Sequence, residues 1–398
     1  MILTKKQEEG LKIALERYKN GEKYTVIAGY AGTGKSTLVR FIIEALQIDP
    51  QAVCYATFTG KAAEVLRKKG NNNTLTLHKL LYENIMLPNG EYLHIPKKVL
   101  GFKIIVVDEI SMVPKQMIEL LFSHNCYVIC LGDPFQLPPI DKNADNHLLD
   151  NPHVFLYEIV RQAEESEIIR ISMDIREQRN ILNFDGNDIK VLPQHKYQRD
   201  MLLWADQILV GTNNSRVNCN NTIRKMLGKG ELPEDGDKVV CLRNYWETFT
   251  YDGQDVLVNG TIGYLSNPIH YVSVKIPTWL HIQNNPILLL ETDIITEENN
   301  TFYDIFIDQQ YLMTEVNTLS QPDLYKMYIH KNNHKNIANL IPKEFGYGYA
   351  ITCHKAQGSQ WPKVFILEEK FPYQSTEHAR WLYTAITRAE EKVILVRE

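Results

Sequence analysis

A glycine-rich segment, Gly-Tyr-Ala-Gly-Thr-Gly-Lys-Ser at residues 29–36, constrains the fold of this chain more than any other feature. It follows an apolar run at 24–28 that is typical of a buried strand, and it precedes helical periodicity at 36–46. A GxxxxGK[ST] segment between a strand and a helix predicts a phosphate-binding loop, because the glycines let backbone N–H groups curl around phosphate oxygens. The start of the helix adds its positive dipole end. We therefore expect the first part of the chain to be an α/β domain that binds a nucleotide.

Within this loop the side chains have separate predicted roles. Lys35 is placed to reach the β- and γ-phosphates, and the Ser36 hydroxyl is a candidate ligand for Mg²⁺. Gln7, near the start of the first predicted helix, is a candidate for reading the adenine edge, although an exposed glutamine is the more common explanation. The residues that we expect to bind the nucleotide here are Gln7, Gly29, Gly32, Thr33, Gly34, Lys35, Ser36 and Thr37.

Two further segments supply the polar groups that a hydrolysis site needs. An apolar run ends in Asp108 and Glu109. Asp108 is the second predicted Mg²⁺ ligand, direct or through water, and Glu109 is the predicted general base for an attacking water. Gln136, in a Gly-Asp-Pro-Phe-Gln-Leu-Pro segment, is a candidate sensor of the γ-phosphate, although taken alone it resembles an ordinary polar loop residue.

The bulk composition narrows the class of protein. The 398 residues, 44% hydrophobic and 23% charged, are typical of a globular protein of two or three domains. A net charge of −5 does not indicate a polyanionic partner, so any nucleic-acid binding site must be a local groove. The six cysteines form no CxxC pair, which argues against a zinc site and for reduced thiols. No apolar run has the length of a membrane span, and the polar N-terminal residues do not resemble a signal peptide, so a cytoplasmic location is expected.

The order of helix and strand signals predicts the domain organisation. Residues 1–163 alternate between the two, as in a parallel sheet covered by helices, but an Asn-Gly turn indicates a β-hairpin inserted at 82–99. A second α/β region is predicted from 164–262 and 346–398. It is interrupted at 263–345 by strand-like runs separated by polar turns, which predict a β-rich insertion.

Five segments in a fixed order carry a family resemblance. They are Ala-Thr-Phe-Thr-Gly-Lys-Ala-Ala at 56–63, Val-Val-Asp-Glu-Ile-Ser-Met at 106–112, Leu-Gly-Asp-Pro-Phe-Gln-Leu-Pro at 131–138, Tyr-Ala-Ile-Thr-Cys-His-Lys-Ala-Gln-Gly-Ser at 349–359 and Leu-Tyr-Thr-Ala-Ile-Thr-Arg-Ala at 382–389. In this combination the chain resembles the superfamily one helicases, and within them the RecD/Dda branch. The resemblance implies two RecA-like domains with ATP and Mg²⁺ in the cleft between them. It also implies that the first domain carries the small hairpin and the second an all-β, SH3-like insertion.

The resemblance assigns further residues to the cleft. Arg161 and Arg388 would be the arginines that approach the γ-phosphate as the cleft closes, and a guanidinium suits the spreading charge of the transition state. Without the family pattern, each would be read as a surface ion-pair partner. Gln357 and Gly358 would lie near the nucleotide on the side of the second domain.

The same resemblance implies a nucleic-acid face on both domains. Hydroxyl, imidazole and ammonium donors suit contact with phosphate, which fixes position without reading sequence. The predicted contacts are Thr57, Thr59, Lys61 and His78 on the first domain and Thr352, His354 and Lys355 on the second. His78 is equally explained as a structural histidine. Phe58, Tyr349 and Trp361 are candidates for stacking on bases, with burial in the core as the alternative.

In the RecD/Dda branch, a small hairpin in the first domain splits the duplex. The hairpin at 82–99 is therefore predicted to be this pin, with Met86, Leu87 or Tyr92 near its tip. The alternative is a surface hairpin that only covers the sheet. The segment Val-Asn-Gly-Thr-Ile-Gly at 258–263 resembles the start of the β insertion in that branch, but Thr261 stands where an acidic residue is common.

The resulting expectation is an ATP-dependent DNA helicase that moves 5′ to 3′ along single-stranded DNA and unwinds duplexes in replication or recombination. Its expected partners are single-stranded DNA, duplex junctions and single-strand-binding or replication proteins. Its expected form is a stand-alone monomer in a bacterial or phage-infected cell. Direction follows from the resemblance alone. A nucleic-acid-dependent switch or loader, an RNA substrate and a small-molecule kinase remain as alternatives, although a kinase leaves Arg388 and Gln357 unexplained.

Overall fold

The computed structural model forms two compact units. One contains residues 1–82, 96–212 and 351–398, and the other contains 83–95 and 213–350. The residues that the structure describes are 3–86, 92–138, 145–160, 165–179, 181, 184–250, 256–275, 278–281, 286–297, 299–314, 341–369 and 375–397.

The phosphate-loop motif lies in the first part of the larger unit. The strands in this part of the chain are β1 (Tyr24–Gly29), β2 (Val53–Thr57), β3 (Thr74–Thr76), β4 (Tyr82–Met86), β5 (Tyr92–Pro96), β6 (Ile104–Val107), β7 (Tyr127–Gly132) and β8 (Val154–Leu156). Residues 83–95, which include most of β4 and β5, belong to the other unit. The helices are α1 (Lys5–Lys19), α2 (Lys35–Leu46), α3 (Gly60–Lys68), α4 (Leu77–Leu81) and α5 (Lys115–Ser123). Six strands form one sheet in the order β3-β2-β6-β7-β1-β8, and all five pairings in it are parallel.

This six-stranded sheet is buried on both faces, which is why its strands read as continuous apolar runs. Ile104 and Val106 of β6 enter one core cluster with α2, and the alternate residues Ile105 and Val107 enter the other with α4 and α5. All four are at most 1% exposed. The carboxyl ends of β1, β6 and β7 therefore meet at one edge of the sheet, where an open parallel sheet places its ligand.

A second parallel sheet belongs mainly to the same unit. Its elements are α6 (Glu167–Arg176), β9 (Ile189–Pro193), β10 (Gln207–Val210), β18 (Ala350–Thr352), α9 (Cys353–Ala356), β19 (Trp361–Leu367), α10 (Ser375–Ile386) and β20 (Ala389–Arg397). The strand order is β18-β10-β19-β20-β9, and the pairings of β10, β19, β20 and β9 are parallel. The helix α10 ends directly before the turn that contains Arg388 and leads into β20.

The other unit is built around an antiparallel sheet. Its elements are α7 (Asn213–Met226), β11 (Lys238–Cys241), β12 (Tyr245–Phe249), β13 (Val256–Leu257), β14 (Ile262–Val274), β15 (Ile287–Thr296), β16 (Thr301–Asp308), α8 (Gln309–Thr314) and β17 (Phe345–Tyr347). Five strands pair in the order β16-β15-β14-β11-β17. The sheet thus includes β11, which lies outside the predicted β-rich range 263–345, and β17, which extends beyond its end. The predicted domain boundaries stay predictions.

The strands β4 and β5 form a separate two-stranded sheet, as the Asn-Gly signal predicts. Residues 87–91 between them lie outside the described part of the chain. Within the described residues, no helix combines the length and the apolar character that crossing a bilayer requires. The predicted α/β class, with parallel sheets and a β-rich segment, is confirmed.

Candidate active site

The phosphate loop joins β1 to α2 through two glycines in the left-handed region. Gly32 has φ 76° and Gly34 has φ 73°, values that other residues adopt only with strain. Close packing adds a second constraint. A Cβ on Gly34 would lie 2.4 Å from Gln7 Nε2, and one on Gly29 would lie 2.9 Å from the Leu156 carbonyl oxygen. Backbone conformation and close approach therefore both require glycine in this loop.

The Lys35 ammonium lies inside the curve of the loop. Its Nζ donates to the Gly29 carbonyl at 2.7 Å and to the Tyr30 carbonyl at 3.1 Å. The Ser36 side chain follows on the first turn of α2 and is exposed. These positions suit an ammonium that pairs with phosphate oxygens and a hydroxyl that is available as a ligand.

Gln7 supports the loop from behind. Its Oε1 accepts from Thr4 N at 3.0 Å and its backbone N donates to Thr4 Oγ1 at 3.3 Å, which forms a capping box at the start of α1. Its Nε2 donates to the Thr33 carbonyl at 3.1 Å. Gln7 is only 2% exposed, so the structure gives it a role in positioning the loop, and the predicted reading of adenine stays a prediction.

The two predicted carboxylates follow β6 and point into the same cavity as the loop. Burial, and next the neighbouring Glu109 charge, raise the pKa of Asp108 to about 6. Its Oδ1 accepts from Glu109 N at 2.8 Å. Glu109 itself has φ 53°, an unusual backbone conformation for a residue with a side chain, and strain of this kind is commonly stored at functional positions.

Gln136 bridges the predicted base and the predicted arginine. With its amide oriented to satisfy both neighbours, its nitrogen donates to Glu109 Oε2 at 3.0 Å and its oxygen accepts from Arg388 Nη2 at 3.2 Å. Arg388 Nη1 lies 3.7 Å from Glu109 Oε1. Three residues that are far apart in sequence therefore converge at one point.

Arg388 is held firmly in this position. It is 3% exposed, its Nε donates to the Thr384 carbonyl at 3.1 Å, and its Nη1 donates to the Ser359 carbonyl at 3.3 Å. These two bonds fix the orientation of the guanidinium, so that its Nη2 faces Gln136 and its Nη1 faces Glu109. The arginine is therefore pre-oriented by its own sheet, which reduces the entropy lost when it meets a phosphate.

A cavity of about 570 Å³ surrounds these groups, within the larger unit. The predicted site residues that line it are Gly32, Lys35, Ser36, Thr57, Asp108, Glu109, Gln136, Gly358 and Arg388. The hydroxyl of Ser36 and the carboxylate of Asp108 are the hard oxygen donors that Mg²⁺ takes together with phosphates and water. Among the described residues, no group of three or more His, Cys, Asp or Glu gathers as a protein-only metal site.

The second sheet contacts the segment that carries Gln136. Leu137 N donates to Thr384 Oγ1 at 3.0 Å, and the Leu137 carbonyl accepts from Gln357 Nε2 at 2.8 Å. Gln357 is thus occupied in holding this segment, while Gly358 lines the cavity. Gly358 has φ 75°, and a Cβ there would lie 2.9 Å from Thr59 Oγ1.

The predicted nucleic-acid residues of the first sheet are partly engaged in local structure. Thr57 is fully buried, donates to the Thr59 carbonyl at 2.9 Å and lines the cavity. Thr59 is the N-cap of α3 and accepts from Ala62 N at 3.2 Å. His78 lies on α4, with its ring centroid 5.6 Å from that of Phe58. Lys61 lies in the first turn of α3 and is half-buried.

The corresponding residues of the second sheet lie together at its carboxyl-terminal edge. Thr352 caps α9 without a hydrogen bond from its side chain to the helix, and it is 9% exposed. His354 and Lys355 follow on α9 and are half-buried. Burial lowers the pKa of His354, so this imidazole is a neutral donor at physiological pH. The roles of both groups in binding nucleic acid stay predictions.

Several predicted residues receive no test from the geometry. Arg161 and Leu87 lie outside the described residues, and for Met86 and Tyr92 only the backbone is described. Of the candidate stacking residues, Trp361 is 3% exposed within β19, so the alternative of core burial holds for it. The Tyr349 hydroxyl donates to Asp237 Oδ1 at 2.9 Å.

The structure adds two residues that the motifs contain but that the sequence alone does not single out. The Tyr383 hydroxyl donates to Asp133 Oδ2 at 2.5 Å and accepts from Ala31 N of the phosphate loop at 2.8 Å. Asp133 lies in the motif segment that contains Gln136, and Tyr383 lies in the one that contains Arg388. Their positions were thus visible in the sequence, but their contact was not.

Two protein-family models match this chain. A model described as an AAA domain matches residues 3–193, and a model of the UvrD-like helicase C-terminal domain matches residues 347–396. The two matches include the phosphate loop and the segment that ends in Arg388.

Similar curated proteins extend over most of the chain. The ATP-dependent DNA helicase dda of Enterobacteria phage T4 is 25% identical, and the match covers 99% of each chain. The ATP-dependent RecD2 DNA helicase of Deinococcus radiodurans is 29% identical over 94% of this chain and 46% of its own length.

A solved structure shares the fold. The Pif1 helicase from Bacteroides in complex with ADP-AlF3 and ssDNA superimposes with a TM-score of 0.53 at 17% identity, covering 99% of this chain and 92% of that one. At this identity the likeness shows the fold alone, and it confirms the predicted pair of RecA-like domains.

Proposed function

The chain belongs to the superfamily one helicases, in their RecD/Dda-like branch of ATP-dependent DNA helicases, and we propose that it hydrolyses ATP in the cleft between its two parallel sheets to move along single-stranded DNA. The observation that carries the proposal is the convergence of Glu109, Gln136 and Arg388 beside the phosphate loop. A general base and an arginine from opposite sides of a cleft are the parts that couple hydrolysis to closure.

The residues have the following roles in this proposal. The backbone of 29–36 cradles the phosphates of ATP and Lys35 pairs with the β- and γ-phosphates. Ser36 and Asp108 would hold Mg²⁺, which would neutralise charge on the phosphate oxygens. Glu109 accepts the proton of the attacking water, and Gln136 orients that water or the γ-phosphate.

Arg388 stabilises the charge that develops on the transferred phosphoryl group, and we propose the same task for Arg161. A guanidinium anchored to the Thr384 and Ser359 carbonyls brings its sheet with it when it moves toward phosphate. ATP binding thereby favours the closed cleft and product release favours the open one. Translocation then requires that closing and opening alternate the grip on the strand between the two sheets.

The proposed track consists of phosphate-contacting donors on both sheets. These are Thr57, Thr59, Lys61 and His78 on the first sheet and Thr352, His354 and Lys355 on the second. Thr57 lines the cavity and donates to the carbonyl of Thr59, the N-cap of α3, and this contact supports a route for the coupling. We propose a 5′ to 3′ direction on the basis of the branch.

Strand separation is assigned to the hairpin of β4 and β5. In the chain this hairpin lies between α4 and β6, and residues 87–91 connect its two strands. We propose that Met86, Leu87 or Tyr92 forms the wedge. The further expectations are a monomeric enzyme that works with single-strand-binding or replication proteins, in the bacterial or phage-infected cytoplasm where its substrates ATP and DNA occur.

Unwinding assays on tailed duplexes test this function. A labelled DNA duplex with a 5′ tail, one with a 3′ tail and one with an RNA tail are each mixed with the protein and ATP, with a trap strand present. Separation of the 5′-tailed DNA duplex alone is the expected result. ATP turnover without strand separation on any substrate would favour a switch or loader and overturn the helicase proposal.

A variant tests the pin separately. Replacing residues 87–91 with Gly-Gly closes the hairpin with a tight turn and leaves β4 and β5 in place. We expect this variant to keep ATP hydrolysis stimulated by single-stranded DNA and to lose unwinding. Undiminished unwinding would show that the hairpin only covers the sheet.

A further inference from the structure

One oxygen atom connects three parts of the cleft. The Tyr383 hydroxyl, on α10 of the second sheet, donates to Asp133 Oδ2 at 2.5 Å. It accepts from Ala31 N of the phosphate loop at 2.8 Å. Tyr383 is 1% exposed and Asp133 is 2% exposed, so no bulk water competes for these bonds. Only a group that both donates and accepts can hold both partners at once.

Asp133 transmits this contact to Gln136. Its Oδ1 accepts from Phe135 N at 2.9 Å, and its carbonyl accepts from Gln136 N at 3.3 Å. The carboxylate thus fixes the turn that presents the Gln136 side chain to Glu109. The Tyr383 ring also packs edge-on against Phe135, with centroids 5.3 Å apart.

Tyr383 is linked to the arginine through the next residue. The Thr384 hydroxyl accepts from Leu137 N at 3.0 Å, and the Thr384 carbonyl accepts from Arg388 Nε at 3.1 Å. A chain of contacts thus connects Ala31 to Gln136 through Asp133 and to Arg388 through the last turn of α10.

We propose that Tyr383 is a positioning residue that couples the state of the phosphate loop to Gln136 and Arg388, with Asp133 as its partner. The proposal rests on the proposed ATP-driven function and deepens it. Tyr383 contacts the loop backbone and not the reacting atoms. When bound phosphates change the conformation of the loop, the Tyr383 hydroxyl shifts Gln136 and Arg388 at the same time. Without the hydroxyl, the loop still binds ATP, but ATP binding no longer repositions Arg388 and the second sheet.

The first test removes only the hydroxyl. In Tyr383→Phe the ring and its packing on Phe135 remain, while the Ala31 and Asp133 bonds are lost. We expect kcat for hydrolysis stimulated by single-stranded DNA to fall about tenfold, the effect of one lost hydrogen bond to a charged group. The ratio of stimulated to unstimulated turnover should fall with it, while KM for ATP changes less than about twofold.

Tyr127→Phe is the matched control. Tyr127 is also a buried tyrosine of the same unit, and its hydroxyl also makes two hydrogen bonds, to Thr25 Oγ1 at 2.5 Å and to the Ala14 carbonyl at 3.2 Å. It lies away from the cavity. A general loss of stability would lower activity in both variants, whereas the proposal predicts a loss of DNA stimulation only in Tyr383→Phe. Equal losses would overturn it.

A double-mutant cycle covers the case of a poorly folded variant. Asp133→Leu keeps the approximate size of the side chain and removes the acceptor of the Tyr383 hydroxyl. We expect Tyr383→Phe to lower kcat less in the Asp133→Leu background than in wild type, because the bond between the two residues is already absent there. Multiplicative effects would overturn the proposal. Wild-type protein without DNA stimulation would remove the proposed function as well, so the wild-type measurement separates the two failures.

Discussion

Glu109 Oε1 lies 3.7 Å from Arg388 Nη1, although Glu109 follows β6 of the first sheet and Arg388 precedes β20 of the second. Gln136 completes the contact through hydrogen bonds of 3.0 and 3.2 Å to the two side chains. A carboxylate that accepts a proton from water needs a partner that holds it in one rotamer, and a guanidinium supplies this. Glu109 can therefore act as a base only when the second sheet holds Arg388 beside it.

Glu109→Gln should remove the base and keep the shape of the site. We expect kcat for ATP hydrolysis to fall about 10²- to 10⁴-fold, while the affinity for ATP is kept, because an amide cannot accept the proton. Single-turnover hydrolysis and binding of a fluorescent ATP analogue measure the two quantities. Glu119→Gln, at an exposed position on α5, is the control and should behave as wild type. A variant that still turns over ATP at the wild-type rate would exclude Glu109 as the base.

Arg388→Lys should show that charge alone is insufficient at this position. Lysine keeps the charge but loses the fork that bonds Thr384, Ser359 and Gln136 together. We expect a fall in kcat of about 10³-fold with a much smaller change in ATP binding. Arg179→Lys, at an exposed ion pair with Asp174, should have no effect. Full activity of Arg388→Lys would argue against the transition-state role.

Gly358→Ala tests whether the close approach across the cleft matters. Gly358 and Gly70 both have positive φ, at 75° and 91°, so alanine at either position costs roughly 1–2 kcal/mol of stability. A Cβ at 358 also meets Thr59 Oγ1 at 2.9 Å, whereas one at Gly70 meets nothing within 4 Å. We expect similar thermal destabilisation in both variants and a loss of DNA-stimulated hydrolysis in Gly358→Ala alone. Equal DNA-stimulated activities in the two variants would mean that α3 moves to accommodate the new Cβ, and that the close approach at Gly358 does not matter for hydrolysis.

His354 should contribute to the pH dependence of stability. Burial lowers the pKa of His354 in the folded protein, so the unfolded chain binds its proton more readily. The stability contribution is therefore present above the unfolded pKa of about 6.5 and is lost as pH falls below it. Tm values at about pH 7.5 and about pH 5.5 should differ less in His354→Gln than in wild type. The exposed His195 provides the control, and an unchanged slope in His354→Gln would contradict the prediction.

The elements around the phosphate loop could be predicted from the sequence almost to the residue. The expected strand at 24–28 and helix at 36–46 appear as Tyr24–Gly29 and Lys35–Leu46, because a glycine-rich turn punctuates both. Short elements such as Thr74–Thr76 and Val154–Leu156 have no period of their own. They are strands only because an existing sheet edge offers backbone partners, which a local pattern does not record.

The site shows the same limit. Lys35, Asp108 and Glu109 could be placed from motif and strand context, since each follows or flanks an apolar run. The function of Gln7 as a support for the Thr33 carbonyl depends on how α1 packs, and that is a tertiary fact. Likewise, no spacing relates Tyr383 to Ala31, which are separated by 352 positions along the chain.

Steady-state ATP hydrolysis measured without polymer, with single-stranded DNA and with single-stranded RNA tests the central claim most directly. We predict a large stimulation by DNA that Lys35→Ala abolishes, because the ammonium that pairs with the phosphates is then missing. The exposed variant Lys115→Ala, with its surface ion pair to Glu119, should keep the stimulation. ATP turnover that ignores both polymers, in protein with a folded phosphate loop, would contradict the account of this chain as a DNA-driven motor.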